Sequence, residues 1–151
     1  MLQVIPNYFS EEQFRIQLAL ANQVDYETVS YQGTDFPSIW TIHPSTMIRR
    51  YVKGEKQKTV WHTDESLGKF ITIVGLQEPE RWNGGTAVQL PDGQVVLAET
   101  WGNTAIRFPA AWIHRREPVD WEQDYPRQIF VTFDKGEEDG TATTIPEQNS
   151  S

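Results

Sequence analysis

Apolar residues recur first at helical spacing and then, along most of the chain, at the two-residue spacing of strands. Phe14, Leu18 and Ala21 fall on one face of a 3.6-residue helix. Ser10-Glu11-Glu12-Gln13, just ahead of them, reads as a capping box, and Phe9 and Phe14 stand at the two staple positions. Glu11 and Glu12 also suit the positive end of the helix dipole. The pattern predicts a helix over residues 10–22 that lays one apolar face on a sheet.

Beyond it, short apolar runs separated by turn residues predict strands at 47–52, 103–108, 112–116 and 127–133. Phe70-Ile71-Thr72-Ile73-Val74 is β-branched and apolar on both faces, which predicts a central, buried strand. Residues 86–90 and 94–98 flank Pro91-Asp92-Gly93, a hairpin turn. No internal repeat is visible. From Lys135 the chain turns polar and acidic and reads as a solvated, disordered tail. One helix followed by many strands predicts a mainly β fold, a double-stranded β-helix or jelly roll, with the N-terminal helix packed on one sheet. The expected domain is 1–134, with 135–151 as the tail.

Composition narrows the function classes. At 151 residues the chain suits one domain and can bury roughly 70% of its unfolded surface. The net charge of -8 repels phosphate backbones, so no nucleic-acid partner is expected. Cys is absent, which removes disulfides and thiolate metal sites and suits a reducing, cytoplasmic setting. No basic, then apolar, leader opens the chain, and no stretch reaches the roughly 18 apolar residues of a membrane span, so no membrane partner is expected either.

The candidate chemistry lies in Trp61-His62-Thr63-Asp64. On an extended strand His62 and Asp64 share a face. A second imidazole from a distant strand would complete two His and one carboxylate on one side of a metal, a facial set with open positions. His114, in Ala110-Ala111-Trp112-Ile113-His114, is placed to supply it. His43 precedes Pro44 and has no acidic residue two positions away. A lone His-x-Asp pair arises by chance in many proteins, and a zinc hydrolase uses a similar ligand set. Arg127 opens the last strand, where Arg127, Ile129, Val131 and Phe133 share one face and Gln128, Phe130 and Thr132 the other. A buried arginine on an apolar face needs an anionic partner. That partner is either a bidentate ligand carboxylate or an internal acidic residue. Tyr51 is either a core aromatic or a hydroxyl offered to the same carboxylate. Gly84-Gly85 is either a plain turn or a place where the backbone passes close to the strand of the metal ligand. Tyr31, Phe36 and Trp40 either pack or line a substrate groove.

Taken in order, Arg50-Tyr51, Trp61-His62-Thr63-Asp64, Trp82-Asn83-Gly84-Gly85, Ile106-Arg107-Phe108-Pro109, His114-Arg115-Arg116-Glu117-Pro118-Val119 and Arg127 resemble the 2-oxoglutarate- and iron(II)-dependent oxygenases, in particular the prolyl 4-hydroxylase-like branch. The resemblance covers roughly residues 45–134. It implies a distorted jelly roll with iron ligands at His62, Asp64 and His114. It implies Arg127 as partner of the far carboxylate of 2-oxoglutarate, with Tyr51 assisting. Two departures stand out. Residues 120–124 lengthen the path from His114 to Arg127. The strand after the His-x-Asp motif carries no Tyr, so Thr72 is its one candidate for a third carboxylate contact. The nucleic-acid demethylase branch would want a second Arg six residues after Arg127, where this chain has Phe133.

The resemblance implies a dioxygenase that uses Fe(II), 2-oxoglutarate and O2, with ascorbate as a stimulant. It would couple decarboxylation of 2-oxoglutarate to succinate with C–H hydroxylation. Branch resemblance and the lysine-rich loop 53–59 favour a peptide or protein substrate, peptidyl proline first. A free amino acid or other small metabolite is the alternative. A zinc hydrolase and a non-catalytic jelly-roll binding module remain as rivals from other classes.

Overall fold

A computed structural model describes residues 1–31, 34–43, 45–51, 60–117 and 125–134, with the backbone alone for residues 27–43 and for Asn83. The tail from Lys135 and the loop 53–59 lie outside these residues. The elements run β1 (Gln3–Ile5), α1 (Glu11–Gln23), β2 (Glu27–Tyr31), β3 (Thr34–His43), β4 (Thr46–Tyr51), β5 (Phe70–Gly75), β6 (Trp82–Gln89), β7 (Val95–Trp101), β8 (Ala105–Pro109), β9 (His114–Arg116) and β10 (Arg127–Asp134). They form a seven-stranded sheet, β1-β8-β5-β10-β4-β3-β2, facing a three-stranded sheet, β7-β6-β9. Neighbouring strands in both sheets are antiparallel. This is a jelly roll.

Strand alternation builds two cores on the two faces of the large sheet. Ile71, Ile73, Ile106, Phe108, Ile129, Val131 and Phe133 point inward and meet Val88 and Ala98 of the small sheet. Val74, Ile48, Ala105 and Phe130 point outward, beneath Phe14, Leu18 and Ala21 of α1. β5 and β10 are therefore covered on both sides, as an uninterrupted apolar run requires. The Ser10 hydroxyl accepts from the Gln13 amide at 3.1 Å and caps the helix start. At the other end Arg50 donates to the Ala21 carbonyl at 3.1 Å and to Gln128 Oε1 at 2.9 Å, a cation where the helix dipole favours one. Burial of Phe14 and Leu18 supplies roughly 1.5–3 kcal/mol each. Each terminal hydrogen bond adds only about 1 kcal/mol, so packing dominates the docking of the helix.

Three strands were not foreseen from the pattern. β1 is three residues long. β2 and β3 form a hairpin on the flank of β4, and β3 carries Asp35, Pro37 and Ser38 within its run, which breaks the strand signature. Gly84-Gly85 is not a turn but does run beside the strand of a metal ligand: the Glu117 amide, just past β9, donates to the Gly85 carbonyl at 3.0 Å, and β6 pairs with β9 from Thr86 to Val88. The glycine pair lies inside β6 at a register shift between Trp82 and Gly85, with Gly84 at φ 83°. A Cβ on Gly85 would meet Leu97 Cδ1 at 2.8 Å and the Ala98 carbonyl at 3.0 Å, so the crowding comes from β7.

Candidate metal centre

The small sheet sets the site. β9 begins at His114, and the segment carrying His62 pairs with it for one residue only. The His62 amide donates to the His114 carbonyl at 3.0 Å, and the His114 amide donates back to His62 at 2.9 Å. The expected strand around the His-x-Asp motif is thus a single bridge. Asp64 is placed by its own amide, which donates to the Ala110 carbonyl at 2.8 Å. These backbone contacts bring together three side chains separated by up to 52 positions.

His114 Nε2 lies 2.9 Å from Asp64 Oδ2, and His62 Nε2 lies 3.6 Å from the same atom. One donor atom from each residue lies within 4.8 Å of the others, and this is the one such group among the described residues. Two donors each about 2.1 Å from one metal stand about 3–3.5 Å apart, so the spacing fits a bound divalent cation. The other ring nitrogens decide the tautomer. His62 Nδ1 is 2.7 Å from the Val60 carbonyl and His114 Nδ1 is 2.8 Å from the Trp112 carbonyl. A carbonyl only accepts, so both Nδ1 atoms carry hydrogen, and a neutral ring offers its Nε2 lone pair to the centre. The Phe108 ring meets His114 edge-on at 5.0 Å and holds its plane.

Electrostatics suit a cation. Burial works against the charged form of Asp64, but hydrogen bonds from His114 and His62 outweigh it and hold the carboxyl well below the usual carboxylate range. The hydrogen bond with Asp64 raises the His62 imidazole, against burial and the nearby charge of Arg49.

Arg127 and Tyr51 face each other across the β10–β4 register on the inner face. Arg127 is fully buried, and Tyr51 is 2% exposed. The guanidinium carbon lies 6.0 Å from the Tyr51 ring centre, and Nη2 lies 3.4 Å from the Thr86 hydroxyl. The sequence-predicted set of His62, Asp64, His114, Arg127 and Tyr51 therefore converges on the space between the sheets.

Thr72 does not join them. It lies between Ile71 and Ile73, which point inward, and so faces outward in register with Thr132 and Arg107. Its hydroxyl is buried with no hydrogen-bond partner among the described residues, on the wrong side of the sheet for a ligand of this site. The alternation of its own strand, apolar on both faces, hid that choice. The side chains of His43, Tyr31, Phe36 and Trp40, and residues 120–124, lie outside what the structure describes.

Sequence reasoning missed two further arginines at the site. Arg49 lies two residues before Tyr51 on the same inner row and donates to its hydroxyl at 3.4 Å. Arg116 lies two residues after His114, and its guanidinium carbon sits 4.1 Å from the Tyr51 ring centre. The signal was available, since each stands at i±2 from a residue already assigned to the site.

No family model matches the sequence, and no curated protein matches it. Solved structures do match in fold. One is an oxidoreductase of the 2OG-Fe(II) oxygenase family from Burkholderia pseudomallei, at TM-score 0.67 and 15% identity over 87% of this chain and 84% of that one. Another is a Pseudomonas putida prolyl-4-hydroxylase, at TM-score 0.66 and 13% identity over 89% and 92%. A third is the epimerase SnoN from nogalamycin biosynthesis, in complex with Fe3+, alpha ketoglutarate and nogalamycin RO, at TM-score 0.65 and 13% identity over 86% and 77%. The chain has the fold of these oxygenases, as its motifs led one to expect. Among the described residues no helix is long and apolar enough to cross a membrane.

Proposed function

We propose that this chain is an Fe(II)- and 2-oxoglutarate-dependent dioxygenase that hydroxylates a C–H bond. The observation that carries the reading is the pairing, inside one jelly roll, of the His62, Asp64 and His114 donor set with the fully buried Arg127. Donor spacing alone serves iron or zinc equally. A hydrolase, however, has no use for a sealed guanidinium facing the same interior, whereas a dicarboxylate co-substrate needs one. Iron, when bound, supplies the activation of O2 that drives decarboxylation of 2-oxoglutarate to succinate and CO2 and oxygen transfer to substrate.

The residues have separable roles. His62 and His114 offer Nε2 and keep their Nδ1 hydrogens on backbone carbonyls, so neither ring can turn. Asp64 supplies the negative ligand. Arg127 would hold the far carboxylate of 2-oxoglutarate, and Tyr51 would offer its hydroxyl to the same group. The apolar rows of β5, β8 and β10 exclude water from the reaction space.

Within this class, peptidyl proline is the substrate that branch resemblance favours, and the similarity to the P. putida prolyl-4-hydroxylase supports it. Similarity to SnoN is of the same size, so fold alone does not choose between peptide and small molecule. A free amino acid or small metabolite is the second reading, and the likeness to SnoN, in complex with the small molecule nogalamycin RO, supports it. The deciding experiment is CO2 release from labelled 2-oxoglutarate with Fe(II) and ascorbate, with and without zinc in place of iron. Release that needs both iron and 2-oxoglutarate is expected. Zinc-supported hydrolysis without 2-oxoglutarate would replace this reading with a hydrolase, and binding without release would leave a jelly-roll binding module.

A further inference from the structure

His62 is held by less backbone than His114. His114 opens β9, which pairs with β6 from Thr86 to Val88, whereas the segment of His62 meets β9 at a single rung. In an antiparallel ladder the next hydrogen-bonded rung would join Val60 to Arg116. Among the described residues the ladder stops short of it. The Val60 carbonyl, which that rung would use, is turned instead to the His62 ring, 2.7 Å from Nδ1. The contact that fixes the tautomer of the ligand thus occupies the group that would have extended its strand. On the other side of His62, the Asp64 amide is drawn out of register to the Ala110 carbonyl.

Side chains continue the ladder where the backbone stops. Between those two rungs Trp61 stands opposite Arg115, at a non-hydrogen-bonded position where cross-strand side chains come closest. The Arg115 guanidinium carbon lies 4.6 Å from the centre of the Trp61 ring. Each residue is one position from a metal-binding histidine, so strand alternation puts the pair on the outer face of the small sheet while His62 and His114 face the interior. Arg115 is itself anchored. It stands opposite Ala87 of β6, and its Nε lies 3.5 Å from Glu117 Oε2. Trp61 is 39% exposed and the Arg115 side chain 36%. At such exposure a cation over an indole shifts an equilibrium about two- to fivefold, enough to bias one rung and too little to hold a sheet.

Resting on the metal-centre reading above, we infer that Arg115 and Trp61 are positioning residues, a clip on the outer face that keeps His62 in place for the metal. Neither side chain touches the centre. The clip raises the fraction of metal-free protein in which His62 stands beside His114 and Asp64, and metal affinity scales with that fraction.

The test titrates Fe(II) alone, without oxygen, into the whole chain by calorimetry. It compares the wild type with Arg115→Gln, Trp61→Leu, the double variant and Arg115→Lys. Electrostatics by itself predicts that removing a positive charge tightens the binding of a cation. The clip predicts the reverse: Arg115→Gln and Trp61→Leu should each weaken Fe(II) about two- to fivefold. The double variant should lose no more than either single one, because the same contact is removed. Arg115→Lys keeps a cation over the ring and should restore most of the affinity. Unchanged or tighter binding in Arg115→Gln and Trp61→Leu overturns the inference, as do additive losses or an Arg115→Lys no better than Arg115→Gln. A lower denaturation midpoint with unchanged iron affinity would make the contact a purely structural one and overturns it too. Should one single variant not fold, the other and Arg115→Lys still decide the matter. A wild type that binds no Fe(II) sinks the metal centre and this inference with it. A wild type that binds iron, beside variants that bind it equally well, sinks this inference alone.

Discussion

Arg127→Met is expected to make the protein more stable and less able to hold its co-substrate. Burial pulls the Arg127 guanidinium down to about 10, against an ordinary 12.5; Tyr51 and Glu117 oppose the shift electrostatically, and the positive charge of Arg116 adds to it. That gap corresponds to about 3 kcal/mol held against the charged form. The cost is carried in full at neutral pH, because the group stays protonated until pH rises past about 10. Among its contacts, the one to the Thr86 hydroxyl is long, at 3.4 Å, and contributes about 1 kcal/mol or less. Methionine fills a similar length without charge, so the metal-free variant should gain about 1–2 kcal/mol. The denaturation midpoint should rise with an unchanged slope. Binding of 2-oxoglutarate to the iron-loaded variant should weaken about 10- to 100-fold by titration of the visible band, and Arg127→Lys should also lose affinity because an ammonium cannot form the two-pronged contact. A metal-free Arg127→Met protein destabilised by more than about 2 kcal/mol would refute the reasoning, since breaking an internal buried ion pair costs about 3–5 kcal/mol.

Three other outcomes are expected. His114→Ala or His62→Ala should abolish stoichiometric Fe(II) binding measured by calorimetry, and His43→Ala should retain it; full binding in the His114 variant would remove the ligand assignment. Metal affinity should fall by at least about tenfold per pH unit on the acid side of the His62 pKa, which its hydrogen bond to Asp64 raises above 6.5, because the metal must displace the His62 proton; an affinity that does not change from neutral pH downward would contradict this. Phe14→Ala should cost about 3–5 kcal/mol of stability by opening a cavity between α1 and the large sheet, and a loss below about 1 kcal/mol in a denaturation curve would show that the helix docks by its ends instead.

The helix and the central strands were legible because one period fixed each of them. Ser10 with Gln13, then Phe14, Leu18 and Ala21, allowed a single reading, and the structure gives α1 as Glu11–Gln23. β10 carried its two faces openly, with Ile129, Val131 and Phe133 in one core and Phe130 in the other. The β2–β3 hairpin was not legible, because Pro37 and the polar residues around it erase the alternation that marks a strand. The meeting of His62, Asp64 and His114 rested on ordered motifs and not on local pattern, since one backbone bridge, and no strand of its own, holds the first ligand. Thr72 was misplaced for a related reason. With apolar neighbours on both faces, nothing in its strand says which side is inside.

The reciprocal bridge between His62 and His114 makes the edge of the small sheet a reporter. Their two amides close one ring of hydrogen bonds, so opening the segment around His62 exposes both protons to exchange at once. A cation held by both side chains would tie the same two points a second time, through imidazole instead of peptide. Occupancy of the centre should then be written in the exchange rates of these two amides, as a paired slowing that needs neither oxygen nor turnover to be seen. A metal that bound elsewhere on this acidic surface would leave that pair unchanged.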